Sequence, residues 1–212
     1  MTRLPFSRSV PALATAFAAA ATAAPALAHH PMGGQVPQSF LHGFLSGIGH
    51  PVIGLDHFAF VVGVGLLSLF CARRYLMPGA FVAATMAGTL LHLASVSLPF
   101  VEIAIAASVM IAGILLVLRT DLRAGALAAL FAVAGIFHGF AYGEAVFGAE
   151  PTPVFAYLLG FGLIQYGIAV AAMEAARRLF AEDALRRTWL RVGGGAIAGV
   201  AFVFLAGHLS PF

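Results

Sequence analysis

From Ile53 onward the chain is a succession of apolar runs: Ile53 to Ala72, Pro78 to Leu98, Phe100 to Leu118, Gly125 to Phe147, Pro153 to Ala176 and Trp189 to His208. At about 1.5 Å per residue, each is long enough to cross a hydrocarbon layer about 30 Å thick. No water is available in that layer, so backbone N–H and C=O groups must be satisfied within a helix or a closed barrel. Period-two alternation is absent, and the runs are rich in Ala, Leu and Gly, which selects closely packed helices. Charge agrees with this: 9% of the residues are charged, 61% are hydrophobic, and lysine is absent. That is too little charge to cover a soluble surface. The expected fold is all-α, a polytopic bundle of six transmembrane helices after a cleavable signal peptide.

Residues 1–28 carry the signal-like features. Arg3 and Arg8 precede the apolar stretch from Val10 to Leu27, and small residues close it at Ala26-Leu27-Ala28. Cleavage after Ala28 is the expected processing; the alternative, an uncleaved first helix, sits poorly with Pro11 and Pro25. The mature chain would begin at His29 on the periplasmic side of a bacterial inner (cell) membrane and cross it several times. The loops after the first, third and fifth runs then face the cytoplasm. They hold Arg73 and Arg74, then Arg119 and Arg123, then Arg177, Arg178, Arg186, Arg187 and Arg191, which are all nine arginines beyond residue 28. This is the bias that orients membrane proteins. It also explains the net charge of +3 without a nucleic-acid partner; the lipid bilayer is the partner expected here. The single cysteine, Cys71, excludes an internal disulfide or a thiolate cluster.

The expected organisation is a signal peptide at 1–28, a histidine-bearing periplasmic segment at 29–52, and the six-helix domain at 53–212. Within the middle segment, Ser39 to Gly49 is apolar but short. It reads either as an interfacial or re-entrant helix, or as an extension of the first run broken at Pro51. His42-Gly43-Phe44 with Gly47 is echoed by His138-Gly139-Phe140 with Gly143. In oppositely oriented halves, such an echo is compatible with an inverted repeat.

With this topology every histidine falls in the outer half. His57 enters the first run by three or four residues, shallow enough for Asp56 to reach the headgroups. His92 and Glu102 lie near outer helix ends, as does His208. His138 is about 20 Å above the inner end of its helix, with Tyr142 and Glu144 beyond it. Isolated polar groups in hydrocarbon are costly, so a shared inward-facing cluster is expected. Imidazole and carboxylate donors without thiolate suit divalent nickel, cobalt or zinc better than monovalent copper, and calcium or magnesium less. The candidate ligands are His50, Asp56, His57, His92, His138 and Glu144. His29 and His30 are candidates for first capture, or else remnants of a processed tail. His42, Glu102, Tyr142 and Gln165 are candidates for holding the ligands or lining the path.

Two stretches also carry a family resemblance. His50 followed by Asp56-His57, and Phe137-His138-Gly139-Phe140-Ala141-Tyr142-Gly143, resemble the paired motifs of the HupE/UreJ family. This chain has Tyr142 where that pattern has a second histidine and Ala145 where it has glutamate; Glu144 stands one position earlier. The resemblance implies entry of nickel or cobalt from the periplasm, with the metal as substrate and no permanently bound cofactor. It also leaves a homo-oligomer or a metalloenzyme maturation system as partners. The residues alone admit two other classes. One is a zinc-dependent intramembrane hydrolase, which no HExxH or GxSxG motif supports. The other is a haem-binding electron carrier with His92 and His138 as axial ligands. A transporter rather than an enzyme is the expected class.

Overall fold

Helix formation begins at Ser39, whose hydroxyl accepts the His42 N–H at 3.2 Å and so caps α1, Phe40–Ile53. The computed structural model describes residues 35–118 and 123–209; the expected signal peptide, His29, His30 and Arg119 lie outside the described residues. Pro51, inside α1, has no N–H to offer the carbonyl one turn back. Three residues later Gly54 leaves helical geometry, with φ −70° and ψ 104°. The chain restarts as α2, Leu55–Ser68, at 81° to α1.

The run Ile53 to Ala72 therefore holds a single helix of 14 residues, α2, which begins just after the bend. The first element of the bundle is a bent pair, α1 and α2, and the segment Ser39 to Gly49 belongs to the outer half of that pair. The bend falls at Gly54 rather than at Pro51. The remaining elements are α3 (Leu76–Leu93), α4 (Val101–Leu118), α5 (Ala124–Gly143), a 3₁₀ turn (Glu144–Val146), α6 (Pro151–Leu179) and α7 (Asp183–Leu209). Among the described residues, five helices are long and apolar enough to cross a membrane, or six if the bent pair is one span.

Glycines set how the helices meet. Gly43 and Gly47 of α1 lie against the α6 backbone at Pro153 and Tyr157, and Gly160 of α6 lies against Phe44 in return. On the other side, Gly135 and Gly139 of α5 lie against α3 at Phe81 and Thr85, and Gly88 of α3 lies against Ile136. A Cβ at any of these positions would collide with the facing helix. Both contacts are parallel, and their spacing is the same: two glycines four apart, answered by one glycine three residues beyond the second contact. A third pair is reciprocal with itself. Gly113 of α4 lies on Gly194 and Ala198 of α7, while Gly194 lies on Gly113 and Val117, in antiparallel sense.

These contacts define an internal two-fold relating α1 to α5, α3 to α6 and α4 to α7. The sequence echo aligned Gly43 with Gly139. The packing instead aligns Gly43 with Gly135, one helical turn away, so that His50 corresponds to Tyr142. The helix that breaks the symmetry is α2, which runs through the middle; ten of its fourteen residues are buried, among them Phe60, Val61, Val64 and Leu67. At the arginine-bearing end, Glu174 accepts from Arg177 and Arg178 and from the Tyr75 hydroxyl at 2.6 Å, which ties α6 to the start of α3.

Candidate functional site

The break at Gly54 brings the last turn of α1 and the first turn of α2 into the bundle interior. His50 is 2% exposed, Asp56 and His57 1%, and His138 not at all. The expectation that Asp56 sits shallowly enough to reach headgroups does not hold. The 81° bend turns the start of α2 inward, onto α5 and to the level of His138. Asp56 Oδ1 accepts the His57 backbone N–H at 2.8 Å, so the carboxylate satisfies an orphan donor at a helix start, where negative charge is favoured.

Hydrogen bonds around the rings determine which nitrogen carries the proton. The Tyr157 hydroxyl donates to the Tyr142 carbonyl at 2.9 Å. Its oxygen also lies 2.9 Å from His50 Nδ1. A hydroxyl has one proton and a carbonyl has none, so His50 Nδ1–H donates to Tyr157 and Nε2 keeps its lone pair.

The same reasoning runs along a second chain. Ser108 donates to the Ile105 carbonyl at 2.7 Å and lies 3.0 Å from His138 Nε2. His138 Nε2–H then donates to Ser108, and its Nδ1 accepts from His57 Nδ1–H at 2.9 Å. His57 is left with its lone pair on Nε2. Two buried imidazoles thus have their N–H groups held by the protein and their Nε2 atoms in acceptor form, the arrangement in which histidine ligates metal.

Aromatic rings pack around this arrangement. Phe60 stacks on His138 with ring centroids 4.5 Å apart. Tyr142 lies 4.5 Å from the His57 ring and 4.9 Å from the His50 ring. The Tyr142 hydroxyl is buried without a hydrogen-bond partner, a costly condition in an apolar interior. Among the described residues, no three His, Cys, Asp or Glu side chains stand ready to hold a metal ion together. At 2.9 Å, His57 and His138 are hydrogen-bonded to one another.

The other candidates lie elsewhere. His92, half-buried, packs between the Phe140 and Phe147 rings and against Gly143, and its Nδ1 has no partner. Glu144 is exposed, because α5 ends at Gly143 and the 3₁₀ turn carries the carboxylate out. His42 is exposed and lines an outer pocket of about 480 Å³ with Gln35, Val36 and Gln38. Glu102 faces His208 at 3.7 Å, across α4 and α7. Gln165 is buried beside Thr85.

Sequence reasoning missed Tyr157 and Ser108, the residues that orient His50 and His138. Ser108 had one visible signal, being the only polar side chain after Glu102 in its apolar run.

A family model described as HupE / UreJ protein matches residues 17–204. Protein HupE of Rhizobium leguminosarum bv. viciae is 29% identical over 202 residues, covering 89% of this chain and 95% of the relative. No solved structure matches.

Proposed function

The chain belongs to the HupE / UreJ family, and from that premise we propose that it carries a divalent transition-metal ion, nickel or cobalt, from the periplasm to the cytoplasm across a bacterial inner membrane. Family membership and a bundle of apolar helices support metal transport in general. The choice of nickel or cobalt rests on the resemblance to permeases of those ions and on the donor chemistry. The observation that carries the reading is the pair of buried imidazoles, His50 and His57, each with its N–H held by the protein and its Nε2 in acceptor form. A carboxylate, Asp56, adjoins them at the break between two helices. A fold that needed only packing would place apolar side chains there, because burying three titratable groups costs several kcal/mol.

His42 and His92, at or near the outer face, collect the hydrated ion together with Glu144 and the N-terminal His29 and His30. The ion then exchanges water for His50 Nε2, His57 Nε2 and the Asp56 carboxylate. Tyr142 supplies a hydroxyl oxygen at the position that matches His50 in the internal two-fold. These side chains close on the ion as it arrives, with His57 keeping its hydrogen bond to His138. His138 and Tyr157 hold protons that would otherwise compete for the same nitrogens. Gly54 and Pro51 supply the irregular backbone that such sites use in membrane carriers. The alternation of parallel and antiparallel contacts supports six crossings, with α1 and α2 together forming the first.

The test is nickel and cobalt uptake by the purified protein in liposomes. Asp56→Asn and His57→Ala should each lower uptake by about tenfold to a hundredfold while the protein remains folded. Uptake unchanged in both variants would remove these residues from the path.

A further inference from the structure

Gln165 is fully buried in α6, and its hydrogen bonds do not account for its presence. Nε2 donates to the Phe161 carbonyl at 3.2 Å and to Thr85 Oγ1 at 3.3 Å. Both groups are already served. Phe161 O accepts the backbone N–H four residues on, as helix geometry provides, and the Thr85 hydroxyl donates to Val82 O at 2.8 Å. The amide orientation is fixed by its neighbours, since a carbonyl can only accept and the NH₂ must face Phe161. Oε1 is therefore the atom left over, and it is buried with no hydrogen-bond partner. An orphan acceptor of this kind costs about 1–3 kcal/mol, which a leucine of similar size would avoid. These two bonds use the NH₂ group and leave the oxygen unexplained.

Its location suggests a use. Thr85 lies against Gly139, the residue after His138, and Thr89 of the next turn donates to Gly139 O at 2.8 Å. Along α6, Gln165 stands eight residues past Tyr157 toward the end bearing Arg177 and Arg178, or about 12 Å. The orphan oxygen is thus displaced from His50 toward the arginine-bearing end and stands near the level of His138.

We propose that Gln165 Oε1 is the next ligand the ion meets after leaving His50 and His57, a transient oxygen site on the inward side. The proposal rests on the transport reading given above. Imidazole is the preferred donor for nickel and cobalt, and a neutral amide oxygen is a weaker one. A step from strong to weak ligand lets the ion leave, since conduction needs binding that is favourable but not final. A carboxylate in the same place would hold the ion more firmly.

The experiment separates binding from movement. Wild type, His57→Ala, Gln165→Leu and Gln165→Met are purified, titrated with nickel, and reconstituted for nickel uptake. Both Gln165 variants should bind nickel within about twofold of wild type yet take it up at least about tenfold more slowly. His57→Ala should lose binding and uptake together. Uptake at the wild-type rate in the Gln165 variants, or binding lost in step with uptake, overturns the proposal. Failure of both Gln165 variants to fold also overturns it, because the amide would then be structural. A wild-type protein that moves neither nickel nor cobalt defeats the transport reading itself, whatever Gln165 does.

Discussion

Tyr157 matters to His50 because of the direction in which its single proton points. Its hydroxyl is committed to the Tyr142 carbonyl, so the ring beside it must donate from Nδ1. Tyr157→Phe keeps the aromatic packing against Phe161 and removes only the oxygen. We expect nickel affinity to fall by about tenfold to a hundredfold with the melting temperature little changed; unaltered affinity in a nickel titration would show that Tyr157 does not set the tautomer. His50, Asp56, His57 and His138 were legible in the sequence because charge and imidazole stand out in apolar runs. Tyr157 and Ser108 were not, since a tyrosine or serine in a membrane helix is ordinary until its partner is known. Glu144 misled because a continued helix would have kept it near His138, whereas α5 stops one residue earlier.

Single helices are held by contacts that a methyl group would destroy. A side chain at Gly139 would meet the Thr85 backbone directly, whereas nothing lies within 4 Å of a Cβ added at Gly167 or Gly195. Gly139→Leu should lower stability by about 1–3 kcal/mol or more, read as a fall in the melting temperature in detergent. Gly167→Ala and Gly195→Ala should raise it slightly, by about 0.5–1 kcal/mol each, because alanine is the better helix former. Equal effects at all three positions would contradict the close α3–α5 packing. The sequence marked the region around residue 50 as irregular, at Pro51 and Gly54. Of the two, Gly54 carries the bend, because glycine yields to extended geometry at little cost.

For the molecule as a whole, the arginine distribution and the helix directions make the same prediction about sidedness. They place Ser97, between α3 and α4, on the expected periplasmic side, and Thr188, near the start of α7, on the expected cytoplasmic side. In intact spheroplasts a membrane-impermeant thiol reagent should label Ser97→Cys and spare Thr188→Cys. The native Cys71 gives little background, since it is buried. Labelling of both, or of Thr188→Cys alone, would refute the topology. The internal two-fold was barely legible, because the repeated letters lie one helical turn from the repeated contacts. Glycine spacing is conserved in the packing, while the residues between glycines differ.

The central claim is that the ion is held by imidazole nitrogen inside the bundle. Nickel-edge X-ray absorption on the loaded, purified protein tests it most directly. The account predicts scattering from at least two imidazole rings in wild type and from one fewer in His57→Ala. Identical spectra in the two proteins, or a first coordination sphere made of oxygen alone, would contradict it.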